Sequence, residues 1–110
     1  MNEAAYEEKS VTEASGKVVK WMGKSIAYGE SCEEPEIHNG FTVEVFQTKA
    51  GKFVAEIYDA SVEETYIETA NDLDRLIAQM KDNDNHENDE FMSALAKAFP
   101  DRELWVEQID

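Results

Sequence analysis

The sequence predicts an α+β domain: an antiparallel β-meander of three strands, with a fourth in the tail as an option, packed with an N-terminal helix and two later helices. Three observations predict it. Apolar residues recur at helical spacing over residues 11–27, 70–81 and 89–98. Between the first two of these runs the period changes to two, over Phe41–Gln47 and Lys52–Tyr58. Strands grouped in sequence with helices to one side argue α+β rather than alternating βαβ units. A chain of 110 residues, 42% hydrophobic, is long enough for one core and too short for two.

Ser10-Val11-Thr12-Glu13 has the spacing of a capping box. Val11, Ala14, Val18, Met22 and Ile26 follow it on one helical stripe. They predict a helix over about 11–27, with residues 1–9 frayed, although Gly16 and Gly23 each weaken a helix by roughly 1 kcal/mol against Ala. Lys17, Lys20 and Lys24 line one side of it, as a solvated face or as a counter-charge to the acidic body. Gly29 to Gly40 reads as a loop, closed by the turn signal Asn39-Gly40. Two strands flank Thr48-Lys49-Ala50-Gly51 as a hairpin, and Glu64–Glu68 forms the third strand. Thr69-Ala70-Asn71-Asp72 resembles a second capping box, before Leu73, Leu76, Ile77 and Met80 on an amphipathic helix. Asn88 or Asp89 is placed to cap the last helix, which carries Phe91, Met92, Leu95 and Phe99 inward and is stopped by Pro100. Leu104, Trp105, Val106 and Ile109 form a fourth strand or a docked turn.

The charge is unevenly spread. Residues 1–25 balance Glu3, Glu7, Glu8 and Glu13 against Lys9, Lys17, Lys20 and Lys24. The remaining 21 Asp/Glu against six Lys/Arg give the whole net charge of −15. Such a surface repels nucleic acid and anionic membranes and attracts basic proteins, although charge of one sign also serves simple solubility. A single cysteine, Cys32, excludes an intrachain disulfide and fits a reducing compartment. The acidic start is unlike a signal peptide, and no run approaches the ~20 apolar residues that cross a membrane. The expectation is a cytoplasmic protein of a bacterial host, with a monomer favoured over a homodimer because Lys49 and Lys52 sit near the hairpin tip.

Strand alternation makes one surface readable. With Val43, Val45, Phe53, Ala55, Ile57 and Ile67 inward, Glu44, Phe46, Val54, Glu56, Tyr58, Glu64, Tyr66 and Glu68 share the outer face. Acids and aromatics interleaved on one plane suit a protein partner rich in Arg and Lys. Asp72 and Asp74 belong to a second acidic strip, partly explained by the helix dipole. No catalytic constellation stands beside these. The phosphate-binding and nucleophile-elbow glycine motifs are missing from the sequence. Cys32 and His38 fall short of a zinc set. Asp82-x-Asp84-x-His86 begins like a calcium loop, but Glu87 stands where Gly is needed and Ser93 where the bidentate Glu belongs. The expectation is a binding protein that is not an enzyme and takes no cofactor, metal, direct nucleic acid or membrane.

In size, charge and helix–meander–helix order the chain resembles the anti-CRISPR proteins, small acidic inhibitors from phages and mobile elements. That class shares no residue signature, so the resemblance transfers no site residues. It implies a partner that is a basic protein or ribonucleoprotein, a CRISPR effector or another nucleic-acid-binding complex, blocked by nucleic-acid mimicry. Separately, Gly51-Lys52-Phe53-Val54-Ala55-Glu56-Ile57-Tyr58-Asp59 with Thr69-Ala70-Asn71-Asp72-Leu73 looks like the strand–turn–strand–helix run of HicB-like antitoxins, without the proline and glycine that usually surround that aspartate. It implies the alternative, an antitoxin or immunity protein that neutralises a cognate toxin.

Overall fold

The computed structural model describes residues 6–32, 34, 40–82 and 89–102. Five strands run in chain order, β1 (Glu7–Thr12), β2 (Val18–Glu30), β3 (Phe41–Thr48), β4 (Phe53–Asp59) and β5 (Glu64–Ala70), followed by α1 (Leu73–Asp82) and α2 (Asp89–Ala98). The strands form one antiparallel meander in the order β1-β2-β3-β4-β5. The α+β class and the meander stand, with five strands among the described residues rather than three or four.

The helix predicted over 11–27 is not formed. Its place is taken by the hairpin of β1 and β2, and Glu7–Lys9 are paired in β1 rather than frayed. Ser10, expected to cap a helix, lies opposite Lys20. Val19, Trp21 and Gly23 alternate inward while Val18, Lys20 and Met22 alternate outward, which is the period of a strand. Gly16 makes the connection: its φ of 94° lies in the left-handed region, and its N–H donates to the Glu13 carbonyl at 2.8 Å.

The β1–β2 arm then curls over the sheet. The Lys49 N–H donates to the Met22 carbonyl at 2.9 Å. At the far edge, the Ala14 N–H donates to the Thr65 carbonyl at 2.9 Å, and the Glu13 carboxylate accepts the Ile67 N–H at 3.1 Å. Backbone groups on the edge of β5 that a flat sheet would leave open are therefore satisfied by the arm's turn.

Two cores result. Between sheet and helices lie Phe41, Val43, Val45, Ala55 and Ile57 against Leu76, Ile77, Met80, Phe91 and Leu95. Inside the curl lies a smaller cluster of Trp21, Phe46 and Val54, flanked by Val11, Val19 and Ile67. The two helices fall close to their predicted bounds. Asp72 alone caps α1, its Oδ1 accepting the Arg75 N–H at 2.7 Å, because Thr69 and Ala70 still belong to β5. The helix α2 lies so close to β2 that a Cβ at Gly29 would strike the Ala94 carbonyl and the Ala98 nitrogen. The cap at Asn88 or the Asp89 side chain, and the tail over 104–109, lie outside the described residues.

Candidate protein-binding face

The surface of interest is the open half of the sheet's concave face. Register builds it. Across β2, β3, β4 and β5 run Tyr28, Glu44, Glu56 and Ile67 in one line, and Glu30, Thr42, Tyr58 and Thr65 in the next. Residues directly opposite on neighbouring strands have Cβ atoms about 4.5–5.5 Å apart. Glu44 therefore faces Glu56 with no residue between them.

A β-bulge brings Tyr28 and Glu30 into this plane. Ser25 pairs with Phe46 and Ala27 with Val45, so the ladder slips at Ile26. Before the slip the odd residues Trp21, Gly23 and Ser25 face the curl; after it the even residues Tyr28 and Glu30 do. The Tyr28 hydroxyl donates to Glu30 Oε2 at 2.7 Å. Half the surface of Tyr28 stays in water.

Burial raises the Glu56 carboxyl above the usual range, the neighbouring charge of Glu44 pushes it further, and Lys9 opposes both. Lys9 reaches over from the arm and places its ammonium 5.3 Å from the Phe46 ring centre.

Of the expected outer face, Glu44, Glu56 and Tyr58 are brought together as read. Phe46 and Val54 lie on that face too, but the arm buries them, with Trp21 packed edge-on to Phe46 at 5.3 Å between ring centres. Glu64, Tyr66 and Glu68 are on the opposite side. Tyr66 pairs with Ile57 and Glu68 with Ala55, both residues of the helix-covered face, so Ile67 turns into the curl instead of the main core. Gln79 of α1 donates to Glu68 Oε1 at 3.3 Å and to the Thr69 carbonyl at 3.0 Å. The Tyr66 hydroxyl donates to Glu64, a bond that raises the phenol's pKa. Asp72 and Asp74 sit at the start of α1 on the helix side, where Asp72 caps and Asp74 pairs with Arg102 at 2.6 Å. They do not join the concave face.

Among the described residues no group of three His, Cys, Asp or Glu is placed to hold a metal ion. His38 and the acidic loop over 83–88 lie outside the described residues. Cys32 lines a shallow cleft of about 300 Å³ with Tyr28, Gly29, Glu30 and Lys97. The Lys97 ammonium there donates to the Ser31 carbonyl at 3.1 Å. None of the described helices is long and apolar enough to cross a membrane. No protein-family model, curated protein or solved structure matches this chain.

Proposed function

We propose that this chain is a non-enzymatic acidic inhibitor that binds a basic, nucleic-acid-binding surface of a defence complex inside a bacterial host cell, in the manner of an anti-CRISPR mimic. The observation that carries the reading is the cross-strand pair Glu44–Glu56. Like charges directly opposite on a sheet destabilise it, and half-burial makes this pair worse. Glu30, Tyr28 and Tyr58 extend the same plane with further carboxylate and aromatic surface. A partner's arginines relieve the repulsion that the free protein tolerates, and the tyrosines add contact area at low entropy cost. The net charge of −15 steers such a partner in from a distance.

The test is an affinity capture from bacterial lysate with the tagged chain, eluted in rising salt and identified by mass spectrometry. The expected partner is a nucleic-acid-binding protein or ribonucleoprotein that added DNA or RNA displaces. Changing Glu30, Glu44 and Glu56 together to Gln is expected to weaken that complex at least about tenfold, which corresponds to about 1.4 kcal/mol. Unchanged binding by the triple variant would sink this face. A small toxin that holds through high salt and ignores nucleic acid would give the protein to the antitoxins.

A further inference from the structure

The arm that closes the curl has an outer face that is exposed along Val18, Lys20 and Met22; at its far end the Lys24 ammonium stands 5.4 Å from the Tyr6 ring centre, and Ile26 borders a cleft with Phe99 and Arg102. Val18, Lys20, Met22 and Lys24 alternate outward along β2, and Ile26 extends the line at the bulge. Val18 is 53% exposed, Met22 45% and Ile26 39%. Six large apolar side chains are left this exposed among the described residues, and three of them lie in this one line. A row of exposed apolar groups concentrated in one place marks a contact surface. Beside it on β1 stand Glu8, opposite Met22, and Ser10, opposite Lys20.

Two features select the occupant. The first is net charge. Over residues 6–25 the arm carries Glu7, Glu8 and Glu13 against Lys9, Lys17, Lys20 and Lys24. Everything after it is strongly acidic, so the arm is where two copies of a −15 molecule approach with least repulsion. The second is self-complementarity. One face carries both Glu8 and the pair Lys20 and Lys24, so a two-fold axis across the arm sets each Glu8 against the lysines of the other copy.

We infer that the outer face of the β1–β2 arm docks a second copy of this chain, forming a two-fold dimer through Val18, Met22 and the Glu8–Lys20/Lys24 pairs. The dimer points both concave acidic faces away from the contact. The monomer expectation rested on Lys49 and Lys52 near the tip of the β3–β4 hairpin discouraging edge pairing; the contact inferred here uses the face of the arm and not a strand edge. The docking strip is about 30 Å by about 10 Å, from nine strand residues and two strands. That is about 600 Å² over the two copies, below the roughly 1,000 Å² of a standing interface, so the dimer is a weak, transient one that concentration drives.

The experiment is sedimentation equilibrium of the full chain from about 10 μM to about 1 mM. The expected mass rises with concentration from 12.5 kDa toward twice that value. Replacing Val18 and Met22 with Lys (V18K/M22K) is expected to weaken it at least tenfold with an unchanged far-ultraviolet circular dichroism spectrum. A charge exchange guards against a folding artefact: E8K alone and K20E/K24E alone are each expected to stay monomeric, and an equimolar mixture of the two to associate. A monomer throughout the range overturns the inference. So does a dimer that V18K/M22K leaves intact. A monomer that instead sediments with vesicles rich in anionic lipid also overturns it, and assigns the strip to a membrane surface.

Discussion

Glu56 is held in conflicting fields. Burial and Glu44 favour its neutral form, and Lys9 favours its charged form, with burial the largest of the three. Its folded pKa is raised above the ordinary 4.5. The fold thus binds the proton more tightly than the unfolded chain does, and this contribution to stability is complete only below the unfolded pKa. It is lost as pH rises from about that value through the folded pKa. Glu56→Gln removes the charge without removing the side chain. It is therefore expected to stabilise the protein at pH 7, by about 0.2–1 kcal/mol on the scale of cross-strand pairs, and to give no such gain below pH 4.5. Thermal melts of the variant and the parent at both pH values check this, and an equal gain at both would show that the charge is not the cause. The same substitution weakens the proposed complex, so this residue trades stability against binding.

Among the elements, β2 carries the most information and was the least legible. A strand covered on one face shows apolar residues every second position. This strand is apolar on both: Val19 and Trp21 face the curl, while Val18, Met22 and Ile26 face outward. The bulge at Ile26 shifts the phase again. What remains in the sequence is a spacing of four, which imitates a helix. By contrast β3 and β4 alternate cleanly, so the sequence alone places Glu44, Glu56 and Tyr58 on one face. The phase of β5 was not legible because it depends on the turn over 60–63, where Glu63 takes a positive φ of 54°. That turn puts Ile67 in the curl and Glu64, Tyr66 and Glu68 with the helices. Tyr28 and Glu30 join the face only through the bulge, which no local signal announces. Gly29 is the residue at which β2 meets α2, and a strand glycine of this kind marks close backbone approach. Gly29→Ala is expected to cost about 1–3 kcal/mol, as overpacking against backbone does. The urea midpoint should fall accordingly; an unchanged midpoint would mean that α2 is not seated on β2 as described.

At the scale of the whole molecule, 25 acids against 10 Lys and Arg make self-repulsion the dominant long-range interaction. Among the described residues, the side-chain ion pair Arg102–Asp74 does little to offset it. The Arg102–Asp74 contact is exposed at both ends, and pairs of that kind contribute about 0–1 kcal/mol. Screening therefore acts chiefly on repulsion. From 0.01 M to 0.1 M salt the Debye length falls from about 30 Å to about 10 Å, shorter than the separation of many like charges on opposite sides of the domain. NaCl over this range is expected to raise the midpoint of thermal unfolding by about 4–8 °C, equivalent to about 1 kcal/mol for a domain of this size. Scanning calorimetry in a series of NaCl concentrations at pH 7 checks it, and a falling midpoint would mean that attractive pairs outweigh the repulsion. The complex with a basic partner responds with the opposite sign, because there the same charges attract. One titration of salt, read once on the free protein and once on the complex, thus separates charge that the fold tolerates from charge that the partner uses.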